Sequence, residues 1–244
     1  MDGRAERSGA DVNPEMLILL PLWYVVFLLS ATCHEAAHAW IALAGGDRTA
    51  YLGGQVSLSP LPHVRREPFG TVIVPLVSYL LFSADGGRWM MGWASAPYDP
   101  SWEDRHPRRA AAMAVAGPLA NLLLALAAFT VLRFGLAHGT WSIPEAIELD
   151  RLVVAPTGSA WEGLGRFCSV LFMLNLVLTI LNLLPLPPLD GASVLAGLAP
   201  PFRGLRARLV SSPMAGLLGL LVAWQVFPYL FAPVYRISLG WLYR

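Results

Sequence analysis

The sequence of 244 residues is short of charge, and none of its 17 basic residues is a lysine. Charged residues make up only 14%, whereas a water-soluble domain carries about 25%. The low charge excludes an ordinary soluble surface and predicts one that faces the lipid bilayer. The formal net charge of +1 gives no indication of a nucleic-acid partner or of an acidic one.

Cysteine is equally scarce. Cys33 and Cys168 both lie in apolar runs, and their spacing matches neither a metal knuckle nor a disulfide framework. No internal repeat or low-complexity segment is visible, and no room is left for an appended soluble domain. We therefore predict a single membrane-embedded domain over residues 1–244.

Hydrophobic residues, in contrast, make up 56% of the chain and lie in long runs. A spanning helix needs about 20 apolar residues to cross a hydrocarbon core of about 30 Å. The runs that satisfy this requirement predict spans at 16–44, 110–136, 166–191 and 213–232. The predicted fold class is an all-α polytopic membrane protein.

The connection 47–109 is predicted to hold a short strand and a re-entrant segment. Residues 55–59 alternate polar and apolar side chains after two glycines, which is typical of an amphipathic strand. The apolar stretch Phe69–Ser83 is too short to span with ease. Either it enters and leaves on one side, or residues 89–98 bring the chain back after a turn at Asp85-Gly86-Gly87.

Arginine placement predicts the orientation through the positive-inside rule. Arginines concentrate at 48–66, 105–109 and 203–208, which puts these connections in the cytoplasm and the N-terminus outside. Arg4 and Arg7 in the N-terminal tail oppose this orientation weakly.

The first span carries the motif His34-Glu35-Ala36-Ala37-His38. A spacing of four puts both imidazoles on one helix face, where they can bind one metal ion. Glu35 can then act as general base towards a metal-activated water. The alternative is two ordinary polar histidines on a helix face. Because ionisable side chains are costly within a membrane helix and mark function there, we favour the metal site.

Asp190 is the candidate third ligand. It follows three prolines that break the end of the third span, where an acidic side chain needs a positive partner. The alternative is a turn aspartate at the membrane surface. His34 lies 18 residues after Met16, about 27 Å along a helix, which brings it near the cytoplasmic face. The third span delivers Asp190 to the same level, so we favour a ligand.

These motifs, together with the segment 116–121, resemble the site-2 protease family of intramembrane zinc metalloproteases, in its short form without PDZ or CBS domains. The resemblance implies a three-helix catalytic core with accessory helices. It also implies one zinc ion bound by His34, His38 and Asp190, with Glu35 as general base. Asn182, eight residues before Asp190, matches a family asparagine close to the scissile peptide. We therefore favour a catalytic role for Asn182, as a substrate or oxyanion contact, over hydrogen bonding between helices. Some members carry Asn-Pro-Asp-Gly where this chain has Pro188-Leu189-Asp190-Gly191.

Two further side chains remain open between roles. Asn121 is a candidate for gating or substrate contact, or for hydrogen bonding between helices. His63 resembles a histidine of the short subgroup, which would give it a gating or inhibitory metal contact, and otherwise it is an interfacial loop histidine.

The predicted function is the hydrolysis of peptide bonds in transmembrane substrate proteins by a zinc endopeptidase, as in regulated intramembrane proteolysis. The alternatives are a membrane metal-ion transporter and a catalytically inactive scaffold. Transporters commonly show paired repeats of broken helices, and no such repeat is visible here. The natural substrate and the oligomeric state stay open.

Overall fold

The computed structural model describes residues 14–84 and 88–244, and the described chain is helical. A π-helical turn, Phe69–Ile73, directly precedes the α-helix that starts at Val74. The α-helices are α1 (Pro14–Ala44), α2 (Thr49–Leu52), α3 (Pro60–Arg66), α4 (Val74–Ala84), α5 (Pro100–Arg105), α6 (Pro107–Ala137), α7 (Ala160–Asn182), α8 (Asp190–Leu198), α9 (Pro201–Val210) and α10 (Pro213–Leu242).

Four of the described helices are long and apolar enough to cross a membrane: Glu15–Ala44, Pro107–Ala137, Ala160–Asn182 and Met214–Leu242. They correspond to the four predicted spans, and the all-α polytopic fold class is confirmed. The chain is thus a multi-pass membrane protein.

Helices α1, α6 and α7 form the centre of the fold. Arg109 at the start of α6 donates to the carbonyl of Gly45 at the end of α1, so these two helices run antiparallel. Arg166 near the start of α7 pairs with Glu15 at the start of α1, so α7 runs parallel to α1. Buried apolar side chains of all three helices make one continuous core.

Residues 69–99 cross beside α1 and return. The Tyr79 hydroxyl donates to the carbonyl of Met16, which places the far end of α4 at the start of α1. The chain then runs back in extended form, until the backbone N–H of Asp99 donates to Asp47 Oδ2 beyond the end of α1. Of the two predicted paths, the structure therefore has the one in which residues 89–98 bring the chain back. The predicted turn at Asp85-Gly86-Gly87 lies outside the described residues, as do Arg4 and Arg7.

The predicted strand at 55–59 is wrong. Gly54 adopts a left-handed φ of 72°, and Ser59 caps helix α3, which starts at Pro60. Only a few residues are left between this turn and the helix, and a strand needs a partner strand to be stable. Within the described ranges, β pairing is limited to the isolated bridges Ser142–Val154 and Glu148–Arg151.

Two predicted spans have different bounds in the structure. The third begins at Ala160, because Arg166 is neutralised by Asp150 and Glu15 and so does not end the helix. It ends at Asn182, and Asp190 opens a separate helix. The fourth continues to Leu242 through two prolines, which membrane helices tolerate.

Residues 138–159 cover the end of the bundle where α1 and α7 begin. Asp150 is 1% exposed and accepts from Arg166 at 3.2 Å, with Arg88 3.5 Å away. The Tyr243 hydroxyl at the end of α10 donates to the carbonyl of Leu152. The covering loop is therefore fastened to the extended segment and to two of the long helices.

Candidate metal centre

His34 and His38 project from one face of α1, and Asp190 meets them from the first turn of α8. The two Nε2 atoms are 2.9 Å apart. Asp190 Oδ2 lies 3.1 Å from Nε2 of His34 and 3.4 Å from Nε2 of His38. The three predicted ligands are up to 156 residues apart in the chain. They nevertheless lie close enough to share one ion without a rearrangement.

Hydrogen bonds to the other ring nitrogens determine which imidazole atoms are available. His38 Nδ1 lies 2.7 Å from the carbonyl of Met113, and His34 Nδ1 lies 2.5 Å from Asn121 Oδ1. Both partners are oxygens with lone pairs, so each Nδ1 carries the proton and donates it. Each Nε2 therefore presents a lone pair to the centre.

The donor set fits a zinc ion. Two Nε2 lone pairs and the carboxylate oxygen of Asp190 converge, and that oxygen has no hydrogen-bond partner within the described chain. Three acceptors at this distance repel one another unless a cation lies between them. Donors that share one tetrahedral zinc at bonds of about 2 Å stand about 3.3 Å apart, close to the spacing here.

Glu35 completes the cluster. It is 7% exposed, and one of its carboxylate oxygens lies within 4.8 Å of ligand nitrogens of both histidines. Two His and one acidic ligand would hold a zinc ion and leave one position free for water, as catalytic sites require. The Glu35 carboxylate lies beside these ligands, where it could accept a proton from a metal-bound water.

Asp190 is placed by the close packing of α8. A Cβ at Gly191 would overlap the carbonyl oxygens of Leu183 and Leu184, so only glycine lets α8 start against the end of α7. A Cβ at Gly197 would likewise overlap the carbonyl of Pro107, so α8 also lies tight against the start of α6. The Asp-Gly pair thus holds the carboxylate where two helix ends meet.

Helix α9 ties this half of the site to the end of the extended segment. Arg206 Nη1 pairs with Glu103 at 2.8 Å, and Arg206 Nη2 donates to the Tyr98 hydroxyl at 3.3 Å. Burial, and then the nearby Glu103 carboxylate, raise the pKa of Tyr98, so its hydroxyl stays neutral. The contact joins the helix pair that carries Asp190 to the segment 88–99.

The other predicted residues lie outside this cluster. Asn182 is the last residue of α7, and its amide donates to the carbonyl of Leu178. Asn121 lies fully buried behind His34. His63 is 1% exposed on α3, with its Nε2 3.0 Å from the carbonyl of Ser57 and its Nδ1 unpartnered among the described residues.

Two groups beside the site were not predicted: the carbonyl of Met113, which lies 2.7 Å from His38 Nδ1, and Asn175, whose Oδ1 accepts from Asn121 Nδ2. Neither belongs to a motif, because their contacts depend on which faces of α6 and α7 turn towards α1. An asparagine in an apolar run nevertheless indicates a polar contact, because a buried amide needs hydrogen-bond partners. On this ground Asn175 could have been singled out from the sequence as Asn121 was.

Known proteins resemble this chain in sequence over most of its length. Residues 22–218 match the model of Peptidase family M50. This chain belongs to peptidase family M50. It is 34% identical to "Putative zinc metalloprotease YwhC" of Bacillus subtilis (strain 168) over 207 residues, 84% of this chain and 81% of that protein.

Two proteins named Rip2 carry the same description. They are 30% identical to this chain over 69% of its length, in Mycolicibacterium smegmatis (strain ATCC 700084 / mc(2)155) and Mycobacterium tuberculosis (strain ATCC 25618 / H37Rv). The chain spans 54% of the length of these two relatives. No solved structure matches it. The resemblance to site-2 proteases is confirmed, and family M50 makes the chain a zinc metalloendopeptidase.

Proposed function

We propose that this M50 peptidase cuts transmembrane substrate proteins at a zinc centre held by His34, His38 and Asp190. The observation that carries the proposal is the convergence of three lone-pair atoms within 3.4 Å, on helices long enough to span a bilayer. When bound, zinc supplies Lewis acidity and lowers the pKa of water towards about 7.

Glu35 is the proposed general base. Its carboxylate takes a proton from the attacking water and passes it to the nitrogen of the leaving amine. Burial keeps the carboxylate away from bulk water, so it exchanges protons within the site. Asn182, at the end of α7, is proposed to contact the substrate near the bond that is cut.

The extended segment 88–99 is the proposed place for the substrate backbone. A transmembrane helix satisfies its own backbone, so a stretch must unwind before a peptide bond can be reached. The segment is anchored along its length: Trp93 N–H donates to the Gly70 carbonyl, and the Ser95 carbonyl accepts from Gln55. Such a fixed extended backbone can pair with an unwound strand along its edge.

The proposed orientation places the N-terminus outside the cell membrane and the metal centre nearer the cytoplasmic face. His34 and His38 lie in the second half of α1, towards the end that carries Asp47 and Arg48. In this orientation, the path for water to the metal centre is shorter from the cytoplasm than from outside the cell.

The substitution Glu35→Gln separates this proposal from its rivals. We expect purified Glu35→Gln protein to bind zinc like the parent and to cleave nothing, because a neutral amide cannot accept the proton of the attacking water. Membrane proteomics of cells carrying either form should show uncut single-span proteins accumulating with the variant. Zinc flux that falls in Glu35→Gln, with no peptide cut by the parent, would favour the transporter. An intact zinc site with no cleavage and no flux would favour the inactive scaffold.

A further inference from the structure

Behind His34, one polar side chain from each central helix joins a continuous hydrogen-bonded chain. They are Ser30 on α1, Asn121 on α6 and Asn175 on α7, and all are 0% exposed. We propose that these three side chains form a positioning relay, which holds His34 in the tautomer and ring orientation that metal binding requires. The inference rests on the proposed function, because it takes His34 as a metal ligand.

The relay starts from backbone carbonyls, which can only accept. The Ser30 hydroxyl donates to the carbonyl of Val26 at 2.7 Å, so its oxygen is left to accept from Asn175 Nδ2 at 2.8 Å. The same Nδ2 donates to the carbonyl of Leu171 at 2.8 Å. Both protons of the Asn175 amide are thereby used, and its Oδ1 must face the other way.

The orientation of the Asn175 amide determines the orientation of the Asn121 amide. Asn175 Oδ1 accepts from Asn121 Nδ2 at 2.8 Å, and that Nδ2 also lies 3.3 Å from the carbonyl of Ser30. Asn121 Oδ1 is left facing His34 Nδ1. An oxygen there requires a proton on Nδ1, which leaves the Nε2 lone pair free for the metal.

The two histidines show why a relay is needed at one of them. His38 Nδ1 donates to the carbonyl of Met113, a backbone group that cannot turn round. At His34 the acceptor is a side-chain amide, which can rotate by 180°. A rotated Asn121 would offer its NH₂ to His34 Nδ1 and move the ring proton to Nε2, where it blocks metal binding. Asn175 and Ser30 prevent that rotation.

The test measures zinc affinity of the purified full chain in detergent, by competition with a chromophoric chelator, beside the Tm of the metal-free protein. Asn121→Leu should lower zinc affinity about 10- to 100-fold, as loss of a group that orients a ligand does. Asn175→Leu, which only releases Asn121, should lower it about fivefold. Asn121→Asp keeps an oxygen towards Nδ1 and should recover most of the loss.

A double-variant cycle distinguishes positioning from general damage. If Asn175 acts only through Asn121, the variant with both leucines binds zinc no more weakly than Asn121→Leu alone. Ser169→Ala is the matched control. Ser169 is buried on α7, the helix that carries Asn175. Its hydroxyl donates to the carbonyl of Gly165 and accepts from the backbone N–H of Leu152. Ser169→Ala should therefore lower the Tm and leave zinc affinity unchanged.

Each result decides between distinct failures. Loss of zinc in His34→Ala with parental affinity in Asn121→Leu overturns the relay and leaves the proposed function intact. Additive losses in the cycle overturn the role of Asn175. A parent chain that binds no zinc, or a His34→Ala variant that binds it unchanged, overturns the proposed function and the relay together. If Asn121→Leu does not fold, Asn175→Leu decides, because parental zinc affinity in that variant overturns the relay.

Discussion

At Gly117, the two imidazoles leave no room for a side chain. A Cβ at this position would overlap Nε2 of both His34 and His38. Gly117→Ala should therefore push the rings apart and lower zinc affinity at least about tenfold, while overpacking costs about 1–3 kcal/mol of stability. Gly163→Ala is the control, since a Cβ there meets nothing within 4 Å. Parental zinc affinity in Gly117→Ala would show that the rings can move without loss.

Asparagine has the size and shape of Asp190, but it is neutral and has an NH₂ donor in place of one acceptor oxygen. Asp190→Asn keeps the shape but presents a neutral group to the cation, so zinc affinity should fall more than about 100-fold, beyond the loss expected for a positioning group. Proteolysis should fall with it. Chelator competition measures the first effect, and Asp104→Asn on the exposed side of α5 serves as the control. Unchanged zinc affinity would transfer the third-ligand role to Glu35.

At the scale of elements, Ser95 fastens the extended segment to α3. Its hydroxyl accepts from Arg66 at 3.2 Å and donates to Glu67 at 2.6 Å. Ser95→Ala removes both bonds and should loosen residues 88–99, so KM should rise about fivefold, the value of one hydrogen bond, with little change in kcat. Faster amide exchange in this segment is the independent measurement. A fall in kcat at constant KM would contradict its proposed role in substrate binding.

The sequence predicted those elements whose signal is local. The spacing of His34 and His38 follows from one helical turn, and the apolar runs are as long as a bilayer requires. Asp190 was predicted because arginine placement puts the ends of two spans at one level. The strand at 55–59 was wrong because two-residue alternation takes no account of the turn at Gly54 or the helix start at Pro60.

Contacts that depend on how the helices turn towards one another could not be predicted. To predict the relay through Asn175, one must know how α7 is turned about its own axis. To predict the fit at Gly117, one must know the distance between α1 and α6. The fourth span was predicted to end at residue 232, whereas α10 continues to Leu242 with Pro228 and Pro233 inside it. The roles given to Asn182 and His63 stay predictions.

At the scale of the whole molecule, Asp150 joins the covering loop to α7 and to the extended segment, at the end of the bundle opposite the metal centre. It pairs with Arg88 and Arg166 while 1% exposed itself. Asp150→Ala leaves both guanidinium groups without this partner, so unfolding should become easier by about 1–3 kcal/mol. At about 2–4 °C for each kcal/mol, the Tm should fall by several degrees, with zinc affinity preserved. Glu162→Gln, which removes only a 3.9 Å contact to Arg166, should change the Tm less.

The proposed orientation can be tested at the two ends of the bundle. At the end with Asp150, Arg88 and Arg166 are paired with carboxylates. Arg65 is exposed at the other end, which the proposal places in the cytoplasm under the positive-inside rule. In intact cells and a chain lacking Cys33 and Cys168, a membrane-impermeant maleimide should label Glu145→Cys and not Arg65→Cys. Permeabilised cells should label both, which controls for folding and access. Labelling of Arg65→Cys alone in intact cells would show that the molecule has the opposite orientation. Water would then reach the metal centre from outside the cell.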